Sequence, residues 1–293
     1  MLNISANQHL SKVAIPFFFI VLYGSGFVGT KYGLEYANPL SFLTTRFLFA
    51  ALILIVIGLI LSKPHKHSIQ EITHIAVAGL LTVGVFSIGV FVSIDMGLSP
   101  SLSAMIISLQ PILVALLASK VVGEKLNHRQ WLGLALGLIG VLFVLSRNVV
   151  LDQLGIQSIA MSVLGLLGLS LGNLYQKRFC NDMNLFIGGA IQSASAGLAC
   201  TFLLVVFSEY ETLWSLHYIY ALSYMTIGVS IGALSLLYIM IRCGSVSKVA
   251  SIFYLVPVAA AFVSYLFFDE KLNAITLIGV VVVMLGISLT NKE

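Results

Sequence analysis

Residues 111–127 read PILVALLASKVVGEKLN, and residues 257–273 read PVAAAFVSYLFFDEKLN. Both phrases open on proline and close on Glu-Lys-Leu-Asn, 146 residues apart in a chain of 293. The same spacing carries Lys31 onto Lys177, Ala104 onto Ala250, Gly133 onto Gly279 and Gly140 onto Gly286, without a gap. The chain is therefore read as a duplication, residues 1–147 followed by residues 148–293.

Composition says where such a chain can live. Hydrophobic residues make up 59% and charged ones only 9%, with a mean hydropathy of +1.05. A soluble domain carries roughly 25% charged residues, so this chain has too much apolar surface for water and is read as an all-α integral membrane protein. Apolar runs bounded by Pro, Gly or charge predict spans near 13–34, 40–62, 74–96, 100–122 and 129–146. The second half repeats them near 158–178, 185–207, 216–241, 246–268 and 273–290. A crossing takes about 20 residues, so ten spans leave only short loops. The first run, from Val13 into Lys31 and Glu35, has no small-residue cleavage pattern and is expected to stay as a span. Five spans per copy is an odd number, which turns the second copy upside down in the bilayer.

Charge placement predicts the same inversion. With the amino terminus inside, Lys12, Lys63, Lys66, Lys120, Lys125, Arg129, Lys177, Arg178, Arg242, Lys248 and Lys292 all fall on the inner side. Only Lys31, Arg147 and Lys271 fall outside, and Arg46 sits within the second span, which accounts for all 15 basic residues. Both termini are expected to be cytoplasmic.

Particular stretches also resemble a known family. Tyr23-GSGFVGTKYGLE, Thr45-Arg46-Phe47, Ala104-MIISLQP with Gly123-EKLN, and Trp131-LGLALGLIGV are similar to the EamA family of the drug/metabolite transporter superfamily. Pro257, Asp269-EKLN, Gly279 and Gly286 echo the pattern in the second half. Where the family pattern usually has tryptophan, this chain has Tyr23, still an amphipathic aromatic. The resemblance implies a ten-helix inverted-repeat carrier of small metabolites, often amino acids, in the bacterial cytoplasmic (inner) membrane. It also implies a central cavity lined by spans 1, 3, 4, 6, 8 and 9, with the others more peripheral.

Several side chains are candidates for that cavity. Spans 4 and 9 carry matching stripes at helical spacing, Ser101, Ala104 and Ser108 against Ser247, Ala250 and Tyr254. Small and hydroxylated faces also serve plain helix packing, so Ser108 and Tyr254, deeper and near the prolines, are the stronger substrate candidates. Pro111 and Pro257 each remove a backbone donor, which predicts a kink or gating point with a freed carbonyl. Spans 1 and 6 set Gly24, Phe27 and Thr30 against Ser170, Asn173 and Gln176. Asn173 and Gln176 are costly to leave facing lipid, and so are expected to face protein or a wet cavity. Tyr23 and Phe27 would supply an aromatic wall. Asp95, near the outer end of the third span, either reaches interfacial water or binds an amine or proton. Arg46 is expected to snorkel outward, to pair with Glu35, or to hold a substrate carboxylate.

Other chemistries find little support. No HExxH, GxSxG or phosphate-loop pattern stands out. Cys180, Cys200 and Cys243 are scattered, and His65 and His67 flank Lys66 in a short basic loop, so neither a redox nor a metal site is expected. The first span has no carboxylate between Val13 and Gly33, unlike what a proton-coupled exporter of lipophilic cations would need. The expected partners are a small-molecule substrate and the lipid bilayer, with no nucleic acid and no cofactor, for a monomer or homodimer. Export of an amino acid or related amphiphile is the leading expectation. Uptake or exchange of nucleoside-like or drug substrates, and a non-transporting assembly subunit, remain open on the sequence.

Overall fold

The computed structural model describes residues 4–61, 68–145, 155–207, 210–259, 262–263 and 274–291. Among them, eight helical stretches are long and apolar enough to cross a membrane, and two more are apolar but shorter. The first five are α1 (Ile4–Leu34), α2 (Pro39–Leu61), α3 (Ile69–Asp95), α4 (Leu102–Val121) and α5 (His128–Leu145). The next five are α6 (Ile156–Phe179), α7 (Leu185–Phe207), α8 (Leu216–Cys243), α9 (Val246–Ala259) and α10 (Ala274–Asn291). The short ones are α5 and α9. The loop at 62–67 with Lys63, His65, Lys66 and His67, then Arg147, Lys292 and the second phrase's 264–273, lie outside the described residues, as do the Lys12 and Ser101 side chains.

Helix starts follow local chemistry that recurs at the same spacing. Ser99 accepts from the Leu102 N–H at 3.2 Å, and Ser245, 146 residues later, accepts from the Lys248 N–H at 3.3 Å. Asn38 and Asn184 cap α2 and α7 in the same way, through Ser41 N–H at 2.8 Å and Ile187 N–H at 3.0 Å. Such caps satisfy amide protons that the first turn of a helix cannot pair internally. Two helices start earlier than the apolar runs predict: α1 at Ile4, not near 13, and α3 at Ile69, not near 74. Ser68 and Glu71 form a capping-box sequence, and the Ser68 hydroxyl takes the Glu71 N–H at 3.1 Å.

Regular winding breaks in two matching pairs of places. α4 turns at Ser108–Leu109 before Pro111, and α9 tightens over Phe253–Leu255 before Pro257. Both prolines thus open a second helical segment instead of bending a continuous one, since neither can donate back to the preceding turn. α3 and α8 widen into π-helical turns at Leu80–Val85 and Tyr224–Ala233.

Corresponding helices of the two copies pack against each other and run antiparallel. In α5 and α10, a methyl group placed on Gly286 would lie 2.5 Å from the Gly137 nitrogen, and one on Gly279 would lie 2.7 Å from the Val144 nitrogen. α2 and α7 meet where a methyl group on Gly189 would lie 3.3 Å from Leu54 Cδ1, and one on Gly197 3.3 Å from the Leu48 nitrogen. α1 lies against α8 through Gly26 and Gly29, facing Val229 and Met225, and α6 repeats this against α3 through Gly165 and Gly172, facing Phe86 and Thr82. Without a hydrophobic force between helices in lipid, close backbone approach across small residues drives association. The outward faces stay apolar: Leu52, Leu59 and Ile60 of α2, and Leu277, Val281 and Met284 of α10, are exposed.

Gly286→Val should therefore unfold at a lower temperature in detergent, losing about 1–3 kcal/mol by overpacking, because its neighbours are backbone atoms that cannot yield. Gly155→Ala, whose added methyl would meet only Ser158 Oγ at 3.6 Å, should melt like the parent. Equal melting of all three proteins would contradict this packing.

Candidate functional site: an aromatic cavity with a buried arginine

Four helices line a small cavity of about 30 Å³ in the half of the bundle that holds the end of α1 and the start of α2. α1 contributes Tyr23, Gly26, Phe27 and Thr30; α2 contributes Arg46. α3 adds Phe86, Ser87, Val90 and Phe91, and the π-helical part of α8 adds Met225 and Val229. The cavity is far below the roughly 300–1,000 Å³ of small-molecule sites, so a solute needs the helices to part.

Tyr23 is the hub of its aromatic wall. Its ring stacks on Phe86 at 5.8 Å and meets Phe19 at 5.1 Å, Phe253 at 5.3 Å and Phe27 at 6.5 Å. Four rings from α1, α3 and α9 thus fix its orientation, while its hydroxyl is buried without a hydrogen-bond partner. The Thr30 hydroxyl is already used, donating to Gly26 O at 2.9 Å.

Arg46 neither snorkels nor pairs with Glu35. It is 4% exposed, and its Nε donates to Ser230 Oγ at 2.8 Å. Its guanidinium lies 5.1 Å from the Phe47 ring and 5.9 Å from the Phe91 ring, within cation–π range. Glu35 is exposed, and among the described residues no carboxylate pairs with Arg46. Span 2, expected at the periphery, therefore supplies the cavity's one charge among its lining residues.

The other sequence candidates separate into three groups. Gln176 lines a second cavity of about 40 Å³ with Cys180, Met183, Tyr238 and Arg242, and its Oε1 accepts from Gln192 Nε2 at 2.6 Å. Asn173 is buried with its Oδ1 unpaired but lines neither cavity. Ser108 donates to Met105 O at 2.6 Å in the break of α4, and Tyr254 donates to Leu134 O at 2.9 Å, locking α9 to α5. Both hydroxyls are committed to helix packing. Asp95 is exposed at the end of α3, and Pro111 and Pro257 sit at the two helix breaks. Sequence reasoning did not single out Ser230, Met225, Val229 or Ser87; a glycine-flanked run, Gly228-Val-Ser-Ile-Gly232, marks Val229 and Ser230, and nothing comparable marks Met225 or Ser87.

Dense polar cross-links close the opposite end of the bundle. Lys177 Nζ donates to Ile241 O at 2.8 Å, Arg242 O at 3.3 Å and Gly244 O at 2.9 Å, capping the last turn of α8. Glu124 accepts from Val246 N–H at 2.8 Å and from the Ser247 N–H and hydroxyl at 3.1 and 2.9 Å, capping α9 from the other copy. Positive charge at a helix C-terminus and negative charge at an N-terminus both oppose the local dipole favourably. Lys31, the counterpart of Lys177, is exposed at the cavity end, with no hydrogen bond among the described residues.

Comparison with known proteins now decides the family. The model of the EamA-like transporter family matches residues 13–146 and again residues 156–292. The chain belongs to the EamA-like transporter family. It is 24% identical over 283 residues to the Bacillus subtilis uncharacterized transporter YvbV, covering 94% of this chain and 90% of that one. The Escherichia coli K12 uncharacterized inner membrane transporter YedA is 26% identical over 285 residues, covering 96% and 91%. A probable amino-acid metabolite efflux pump of Salmonella typhimurium is 25% identical, covering 92% and 90%. A crystal structure superposes with a TM-score of 0.77 at 16% identity, covering 95% of each chain, and so shares the fold. As an EamA-like transporter, this is a multi-span membrane protein.

Lys177→Ala should loosen the closed end of this transporter by about 1–2 kcal/mol, as charged hydrogen bonds are lost at a partly exposed site. Hydrogen exchange in detergent should accelerate over residues 240–249 and stay unchanged for Lys31→Ala. Unchanged exchange over 240–249 would mean that Lys177 does not hold that end.

Proposed function

We propose that the chain is a secondary carrier that exports an amino acid or related amphiphilic metabolite across the cytoplasmic membrane by alternating access. In this reading ten spans form two inverted five-helix copies, residues 1–147 and 148–293, with both termini cytoplasmic. Antiparallel packing of corresponding helices, α2 on α7 and α5 on α10, supports the inversion. The surplus of Lys and Arg at the end closed by Lys177 and Glu124 supports placing that end in the cytoplasm. Inverted repeats with a site between them suit rocking of one half against the other.

One observation carries the reading: a cavity walled by Tyr23, Phe27, Phe86 and Phe91, with Arg46 among its lining, between helices of both copies. Aromatic rings suit an apolar side chain, while Arg46, Ser87 and the free Tyr23 hydroxyl suit a polar head. The relative named as a probable amino-acid metabolite efflux pump adds to the case for amino acids and their derivatives.

The test is counterflow by the purified chain in liposomes, using labelled amino acids, amines and nucleosides. At least one solute should exchange, and Phe27→Ala should slow it at least fivefold without lowering the melting temperature by more than a few degrees. No counterflow of any solute would overturn the carrier reading. Wild-type rates for both Phe27→Ala and Tyr23→Ala would show that solute takes another route.

A further inference from the structure

A full positive charge lies inside the membrane half of this molecule without a negative partner. Arg46 stands seven residues into α2, about 10 Å along the helix at 1.5 Å per residue. Burying an unpaired charge at such depth costs several kcal/mol, and an arginine cannot escape by losing its proton. Ser230 takes one N–H, and the Phe47 and Phe91 rings interact with the guanidinium face, but none of these carries an opposing charge. The remaining fork of N–H donors has no hydrogen-bond partner among the described residues, and Arg46 lines the cavity. The Tyr23 hydroxyl, a second unpaired donor, lines it as well.

The duplication shows that helix packing alone does not ask for this charge. The position matching Arg46 in the second copy is Gln192, whose Nε2 donates to Gln176 Oε1 at 2.6 Å. A neutral amide thus serves the corresponding place in α7, beside a cavity of similar size. The second cavity also has a cation and a ring, Arg242 and Tyr238, but Arg242 is bonded to the Asn181 and Met183 carbonyls at 2.7 and 2.9 Å; no Asp or Glu lines the Arg46 cavity to receive an ammonium group.

We propose that Arg46, helped by the Tyr23 hydroxyl, forms a carboxylate-binding subsite, so that the carried solute is an amphiphilic carboxylate. Its carboxylate takes the guanidinium fork, the pairing that the planar group suits best. Its apolar body lies against Phe27, Phe86 and Phe91. The same charge rejects organic cations, whose approach to Arg46 is repulsive. This assignment rests on the carrier reading above and names the solute class for that cavity.

Matched solutes test it. Counterflow and melting-temperature shifts would be measured with 3-phenylpropionate and phenylalanine against phenylalaninamide and phenethylamine, and with 4-methylvalerate and leucine against leucinamide. The wild type should exchange the acids of at least one series tenfold faster than its amide or amine, and only those acids should raise its melting temperature. Arg46→Gln, borrowing the residue of the second copy, should lose both the preference and the thermal shift; Arg46→Lys should keep part of the preference. If Arg46→Gln does not fold, the wild-type comparison still decides. Counterflow of amides, amines or nucleosides as fast as of the acids overturns the subsite and leaves the carrier reading standing. A folded Arg46→Gln that keeps the acid preference overturns it too. No counterflow of any solute removes the carrier reading and this inference together.

Discussion

Close backbone contact between matching helices of the two copies is the constraint from which the rest follows. Lipid offers backbone groups no hydrogen bonds, so each span must be a helix, and helices in lipid gain little from hydrophobicity when they meet. Gly133, Gly137 and Gly140 of α5 face Gly279, Val283 and Gly286 of α10 at distances that leave no room for a side chain. α2 and α7 repeat the arrangement through Gly58, Gly189 and Gly197. These seams fix the register of the halves, and with it the meeting of α1, α2, α3 and α8 around Tyr23 and Arg46.

Within that paired frame, the chemistry is unequal. Phe27, Thr30 and Arg46 in the first copy stand where the second has Asn173, Gln176 and Gln192. One cavity therefore holds an arginine without a carbonyl or carboxylate partner among several rings, while beside the other Gln192 Nε2 donates to Gln176 Oε1 and Arg242 is bonded to two carbonyls. Closure is unequal as well, with Lys177 bound to three carbonyls of α8 and Lys31 exposed. A duplicated scaffold gives two similar arrangements, and residue differences between the copies make the two cavities chemically unlike.

Much of the fold was legible in the sequence because its causes are local. Helix ends follow from Ser, Asn and Pro at fixed positions, and the repeat is visible as literal identity between Glu124-Lys-Leu-Asn127 and Glu270-Lys-Leu-Asn273. The early start of α3 was also written locally, in Ser68 and Glu71, but lay outside the apolar run used to mark the span. The site was less legible, because its contacts join distant segments. Arg46 announced itself as a charge in an apolar run, yet Ser230 lies 184 residues away on a π-helical turn that hydropathy does not mark. Ser108 and Tyr254 looked equally suited to solute or helix packing, and only their bonds to Met105 O and Leu134 O show where the hydroxyls are spent.

The inversion of the two copies is the claim on which the carrier account stands. Its most direct measurement is side-specific labelling of Glu35→Cys and Asn181→Cys, matching positions of the two copies, in a chain also carrying Cys243→Ser. A membrane-impermeant maleimide should reach the first only from the periplasmic face of the membrane and the second only from the cytoplasmic face. Reaction of both from the same face would place the copies in parallel and contradict the account.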